Sequence, residues 1–291
     1  VLEHARVSCG RAINGRSARS MMLLGLRGTG KTVLLNEVGK IAEHTGLLVS
    51  KVESPEEESL ARLLYPEMRK VMRSLSTVEA AKQIANRGLK GLRGFASIFK
   101  IDIAGVEVGV EPEPGLADSG NLQYDLPDLF NVIGRAAQAA GKGWILLIDE
   151  VQYLSEADLR ALIVSMHKMS QEGLPVLLVG AGLPQVARLA GEAKSYAERL
   201  FLYPEINALD ADAAAKAVLK PILDEEASIA EAALQEIVVR TKGYPFFLQE
   251  WASTAWNCAE GQRYRWMMSF NPTRKPWRCW MQVSSGCVST S

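Results

Sequence analysis

Apolar residues along the chain fall into two spacings that take turns. Met21 to Leu24 is an unbroken apolar run, after which Val33, Leu34, Leu35, Val38 and Ile41 recur at helical intervals. The run reads as a strand buried on both faces, and the stripe as a helix over 30–44. The alternation predicts a strand at 47–52, helices near 57–74 and 77–90, a helix at 126–140, a strand at 144–148, a helix at 156–171 and a strand at 175–180. Strand and helix in turn specify an α/β fold, a parallel sheet with helices on both faces. Leu200 to Tyr203 is the expected last strand, and beyond it the pattern is all helical, over about 210–220, 226–241 and 245–259. An α/β domain over 1–205 and a small helical domain over 206–260 are therefore expected.

An insertion of about 75–125 interrupts the alternation. Phe99, Ile101 and Ile103, then Ala104-Gly105, then Val106, Val108 and Val110 predict a two-residue hairpin with one apolar face. Ahead of it, Arg87 to Gly94 (RGLKGLRG) repeats every three residues and sets basic groups on one stripe. That stripe suits contact with nucleic acid or an acidic partner; the reading we take is a solvated, glycine-loosened connector.

The chemistry sits at the end of the first strand. Gly25 to Thr32 (GLRGTGKT) fits G-x-x-x-x-G-K-[ST], in the strand, loop, helix order that a phosphate-binding loop needs. Its glycines let backbone approach a triphosphate without an obstructing Cβ. Amides of Gly25, Arg27, Gly28, Thr29, Gly30, Lys31 and Thr32, with the start of the next helix behind them, form an anion nest. Lys31 adds a point charge for the β and γ phosphates, and the Thr32 hydroxyl suits the shell of a Mg²⁺ ion that keeps most of its waters.

Trp144 to Glu150 (WILLIDE) supplies the carboxylate such a site requires. Five apolar residues deliver Asp149 to the C-terminal edge of the sheet, where it can hold the metal's water shell. Glu150 can orient and deprotonate a water attacking the γ phosphate. The competing use of these acids is to cap the following helix, but Ser155, followed by Glu156 and Asp158, already fills that place. No N-K-x-D or T-K-x-D element appears, the nearest being Thr241 to Tyr244, so ATP is expected rather than GTP.

Composition narrows the class. With 291 residues and 48% hydrophobic content, the chain can bury one large core and a smaller one. No apolar run approaches the ~18 residues of a membrane span and no leader is evident, so a soluble, cytoplasmic protein is expected. Cys9, Cys258, Cys279 and Cys287 have no CxxC spacing, and His4, His44 and His167 have no paired ligand nearby, which argues against a structural metal. Formal charge is zero overall, but 261–291 carries five Arg or Lys and no acid, leaving −5 on the first 260 residues. That stretch has no periodicity and reads as an irregular basic tail, disordered or non-native.

With both halves of the site in place, Pro175 to Pro184 (PVLLVGAGLP), Ser195 to Phe201 (SYAERLF) and Lys242 to Gln249 (KGYPFFLQ) make residues 10–260 resemble the AAA+ ATPases related to origin-recognition proteins, a group overlapping the STAND signalling ATPases. The resemblance implies a P-loop fold of the additional-strand class, with the PVLLVG strand between the phosphate-loop and acidic strands and a helical lid after 206. It implies that Arg199 neutralises charge at the γ phosphate, and that Pro245, in a G-x-P element, begins a lid helix and approaches the nucleotide. In that family the PVLLVG strand often ends in a polar sensor; here Gly180, Ala181 and Gly182 are apolar. The G-R-E-x-E element of many relatives is missing and position 1 is Val, so some N-terminal sequence is expected to be lacking.

The combined reading is an ATP-binding protein that hydrolyses ATP slowly with Mg²⁺ as a molecular switch. Lys31, Glu150 and Arg199 are its catalytic residues, Thr32 and Asp149 hold the metal, and a protein partner or self-association is the output. The alternatives are a switch that loads ATP with negligible turnover and a DNA-binding loader like the origin-recognition ATPases.

Overall fold

The computed structural model describes residues 1–101, 113–225 and 227–258. It separates into two compact units, one of Val1–Leu26 with Lys31–Ile206, the other of Arg27–Gly30 with the chain from Asn207 onward. The tail 261–291 and most of the hairpin expected over 99–110 lie outside the described residues.

The first unit is built on five parallel strands, β1 (Ser20–Leu24), β2 (Leu47–Glu53), β3 (Gly143–Asp149), β4 (Val176–Gly182) and β5 (Phe201–Leu202), in the order β2-β3-β4-β1-β5. The strand carrying PVLLVG thus lies between the phosphate-loop strand and the acidic strand. β1, β3 and β4 are buried along their whole length, which is why their sequences run apolar without alternation. Successive side chains of β3 face opposite cores: Trp144, Leu146 and Ile148 one, Ile145 and Leu147 the other. Trp144 is fully buried, donates from Nε1 to Ser50 Oγ at 3.1 Å, and meets Phe130 edge-on with centroids 4.8 Å apart. That pairing satisfies the indole N–H, which otherwise costs about 1–3 kcal/mol to bury.

One face of the sheet is covered by α1 (Leu2–Ile13) and α2 (Lys31–Thr45). The other carries α3 (Leu60–Ser76), α4 (Glu79–Ile98), α5 (Leu122–Ala139), α6 (Glu156–Gln171) and α7 (Gln185–Ala193). Ser155 caps α6, its Oγ accepting from Asp158 N at 3.1 Å, so the β3 acids are not spent on that role. The one-turn helix α8 (Ala197–Leu200) leads into β5.

Two local expectations are corrected. Residues 87–94 are not a loosened connector but the continuation of α4, with Gly88, Gly91 and Gly94 buried. A Cβ at Gly91 would come within 2.5 Å of Leu116, and one at Gly88 within 3.0 Å of Val132, so these glycines admit neighbouring side chains. Residues spaced by three share a helix face, which makes the basic repeat the outer counterpart of a small-residue contact stripe. The spacing-based reading also omits α1, α7 and α8; α1 is short of large buried side chains, its inward face being Ala5, Ser8, Cys9 and Ala12.

The second unit contains α9 (Ala211–Asp224), α10 (Glu231–Thr241) and α11 (Pro245–Cys258), packed around Ala214, Val218, Leu234, Ile237, Val238 and Leu248. Asp210 caps α9 by accepting from Ala213 N at 2.7 Å.

Candidate functional site

Three strand ends and one helix start converge at the C-terminal edge of the sheet. β1 leads into Gly25–Gly30, and α2 begins at Lys31 directly after the loop. Gly28 and Gly30 have φ of +78° and +88°, a region that side-chain-bearing residues rarely enter. The first free amides of α2 therefore open toward whatever the loop holds.

Lys31 is buried, and its Nζ donates to Gly25 O at 3.0 Å and Leu26 O at 2.9 Å, so the ammonium is held across the mouth of the loop. Thr32 Oγ1 donates to Asp149 Oδ2 at 2.6 Å, joining positions 117 residues apart. Asp149 Oδ1 in turn accepts from Glu150 N at 3.0 Å. Both carboxylate oxygens are thus oriented by short bonds, one of them against the threonine hydroxyl.

Glu150 adopts the left-handed conformation, φ 54° and ψ 42°. For a residue with a Cβ this costs on the order of 1 kcal/mol, and such outliers concentrate at functional sites. It breaks β3 immediately after Asp149 and starts the turn Val151–Tyr153, closed by Tyr153 N donating to Glu150 O at 3.0 Å.

Two residues at this edge escape sequence reasoning. Gln152 donates from Nε2 to Glu150 Oε2 and accepts from Leu183 N at 3.1 Å through Oε1. Its only sequence signal is an amide between Val151 and Tyr153, just behind the acids. Ser54 follows β2, its N donating to Asp149 O at 3.1 Å. Among the described residues, Ser54 Oγ is the one buried side-chain polar atom with no hydrogen-bond partner. Nothing in the sequence around Ser54 distinguishes it from an ordinary strand end.

The donor set fits a magnesium nucleotide. Among the described residues no group of three or more His, Cys, Asp or Glu is placed to hold a metal ion. One hydroxyl beside one carboxylate is instead what Mg²⁺ accepts, since it retains several waters, and an orphaned hydroxyl at Ser54 beside Asp149 is chemically suited to such a shell. The glycine nest and Lys31 match the phosphates.

Arg199 lies elsewhere in the first unit. It sits on α8 ahead of β5, which runs parallel to β1 with Ser20 opposite Phe201, so it stands at the N-terminal edge of the sheet while the loop leaves the C-terminal edge. Its backbone is held there, Arg19 Nη2 donating to Arg199 O at 3.1 Å and Phe201 O at 3.0 Å. Its side chain is exposed and forms no hydrogen bond or ion pair with the described residues. The fold therefore does not bring Arg199 to its own chain's phosphate loop.

Within the second unit, Pro245 opens α11 after Lys242 and Gly243, both at positive φ (50° and 69°). Phe246 N donates to Gly28 O at 3.1 Å, and Tyr244 Oη donates to Arg27 O. Burial raises the Cys9 thiol and the Tyr196 and Tyr203 phenols, all of which stand away from the site in the sequence.

A profile of the AAA ATPase domain matches residues 6–179. No curated protein matches the chain. Among solved structures, the RuvB Holliday junction branch migration motor of Thermotoga maritima is similar at 14% identity and a TM-score of 0.50, over 88% of this chain and 60% of that one. Replication initiator DnaA bound to AMPPCP and single-stranded DNA is similar at 13% identity and a TM-score of 0.51, over 98% and 66%. The Aeropyrum pernix ORC1 protein in complex with DNA is similar at 15% and 0.50, over 97% and 64%. At such identities the likeness shows the fold, and this chain spans less than two thirds of each of those proteins.

Proposed function

Because the chain belongs to the AAA ATPase domain family, we propose that it binds ATP with Mg²⁺ at Gly25–Thr32 and hydrolyses it slowly, as a nucleotide-dependent switch acting on a protein partner or on a further copy of itself. The observation that carries this reading is the 2.6 Å bond from Thr32 Oγ1 to Asp149 Oδ2, which joins the two halves of the motif pair.

The loop amides and the start of α2 bind the phosphate oxygens, and the Lys31 ammonium exchanges its carbonyl partners for them. Thr32 and Asp149 would hold the Mg²⁺, which when bound neutralises phosphate charge. Glu150 accepts a proton from the attacking water as its oxygen bonds to the γ phosphorus and the bond to the bridging oxygen breaks, giving ADP and phosphate. Positioning and electrostatics account for the rate rather than covalent chemistry. Arg199, from the opposite sheet edge, would serve a neighbouring copy's site; Pro245 would fix the start of a lid helix near the nucleotide.

Steady-state phosphate release with wild type, Lys31→Ala and Glu150→Gln tests the enzyme, alongside calorimetric binding of Mg·ATP. Wild-type release no greater than that of Lys31→Ala, with Mg·ATP still bound, would leave the loading switch of negligible turnover. No helix among the described residues is long and apolar enough to cross a membrane, in keeping with a cytoplasmic location. A DNA-loading role rests on fold likeness alone. Absence of salt-sensitive affinity for single-stranded and duplex DNA removes it.

A further inference from the structure

The apolar end of β4 leaves a question that the neighbouring turn answers. A side chain at Gly180 would have to displace its neighbours, since a Cβ there would lie 2.5 Å from Met22 Sδ and 2.9 Å from Val151 Cγ2. At Gly182 a Cβ would lie 2.8 Å from Gln152 Oε1 and 2.8 Å from Val186 Cγ2. The place beside Gly182 is therefore filled by the Gln152 carboxamide, reaching across from the turn after β3. Its orientation is fixed by its partners: Oε1 faces a backbone donor, Leu183 N at 3.1 Å, and Nε2 faces an acceptor, Glu150 Oε2.

We infer that Gln152 is a positioning residue that supplies the polar group β4 lacks, clamping the Glu150 carboxylate to the backbone at the end of β4. The inference rests on the reading of Glu150 as the base. The clamp matters because Glu150 leaves β3 in a strained left-handed conformation, and a carboxylate that must align one water needs its torsions restrained. A carboxamide can do this where an ionised carboxylate, an acceptor only, cannot. It offers an N–H to the glutamate and an oxygen to the amide at once, without adding charge beside the phosphates. Gly182 then serves by leaving the room that the amide occupies.

Two variants separate the halves of the bridge. Gln152→Leu keeps the bulk and loses both bonds; Gln152→Glu still accepts from Leu183 N but can no longer donate to Glu150. In phosphate-release assays both are expected to lower kcat by about 10- to 100-fold, the loss typical of a misplaced catalytic group, with KM within about threefold of wild type. In the nucleotide-free protein, hydrogen exchange at the Leu183 amide is expected to speed up about tenfold in Gln152→Leu and to stay near the wild-type rate in Gln152→Glu. A circular dichroism melt confirms that each variant folds. The inference is overturned by a kcat that is unchanged or raised in Gln152→Leu, by a rise in KM at constant kcat, or by unchanged Leu183 exchange in that variant. Failure of the underlying reading looks different: Glu150→Gln would then turn over as fast as wild type, whereas Leu183 exchange without nucleotide does not depend on what Glu150 does.

Discussion

At the scale of single residues, the site is a set of oxygen acceptors and donors spaced by hydrogen bonds rather than by packing. Lys31 shows how little of its position is chemistry of its own: two loop carbonyls at 3.0 and 2.9 Å hold a buried ammonium that would otherwise be costly to desolvate. Lys31→Ala removes that cation, and calorimetry with Mg·ATP is expected to show affinity reduced by at least about 100-fold, the scale of a lost charge-assisted contact in a buried site. Gly182→Ala offers a residue-scale check from the other side of the bridge. Its Cβ would fall 2.8 Å from Gln152 Oε1, so the carboxamide must leave, and kcat is expected to fall by about tenfold or more with ATP affinity nearly unchanged.

At the scale of elements, α4 decides between two accounts of one repeat. A connector loosened by glycine would gain from Gly91→Ala, as would an exposed helix, by about 1 kcal/mol. Here a Cβ at Gly91 would lie 2.5 Å from Leu116 Cδ2 and 2.7 Å from its Cγ, so the packing cost opposes the propensity gain. Gly91→Val, larger and branched, is expected to destabilise the protein by about 1–3 kcal/mol in urea titration, while Lys90→Ala on the same helix stays within about 0.5 kcal/mol. A stabilised Gly91→Val protein would mean that α4 does not pack on Leu116. The cap of α6 belongs to the same scale. Ser155→Ala removes the acceptor for Asp158 N and is expected to cost about 1 kcal/mol.

At the scale of the whole molecule, stability should fall in alkali. Burial pushes the Cys9 thiol up to about 11, and burial together with the Glu198 carboxylate pushes the Tyr203 phenol up to about 12. Each group is neutral below its pKa, and in the unfolded chain it loses its proton at lower pH than in the folded one. The unfolded state then binds fewer protons, so the contribution is fully present below about pH 9 and declines as pH rises toward 11 for Cys9 and 12 for Tyr203. Urea midpoints measured from pH 8 to 11 are expected to decrease, and Cys9→Ala should flatten the part of that decline that begins near pH 9.

The phosphate loop, the acids at the end of β3 and the sequence of strands with most of their helices were legible from the chain because each is written locally. Gly28 and Gly30 are glycine for a backbone reason, and the interiors of β1, β3 and β4 are apolar without alternation because both their faces are covered. What lay beyond local pattern needed the tertiary structure. The inward glycines of α4 answer to Leu116 and Val132, residues far along the chain, so the same letters read equally well as a loose linker. The parallel pairing of β5 with β1 carries Arg199 to the edge opposite the loop, a fact of topology that no motif records. Gln152 and Ser54 gain meaning only where β2, β3 and β4 end side by side, because a hydrogen bond or an orphaned hydroxyl depends on distances between segments, and composition and periodicity contain no such distances.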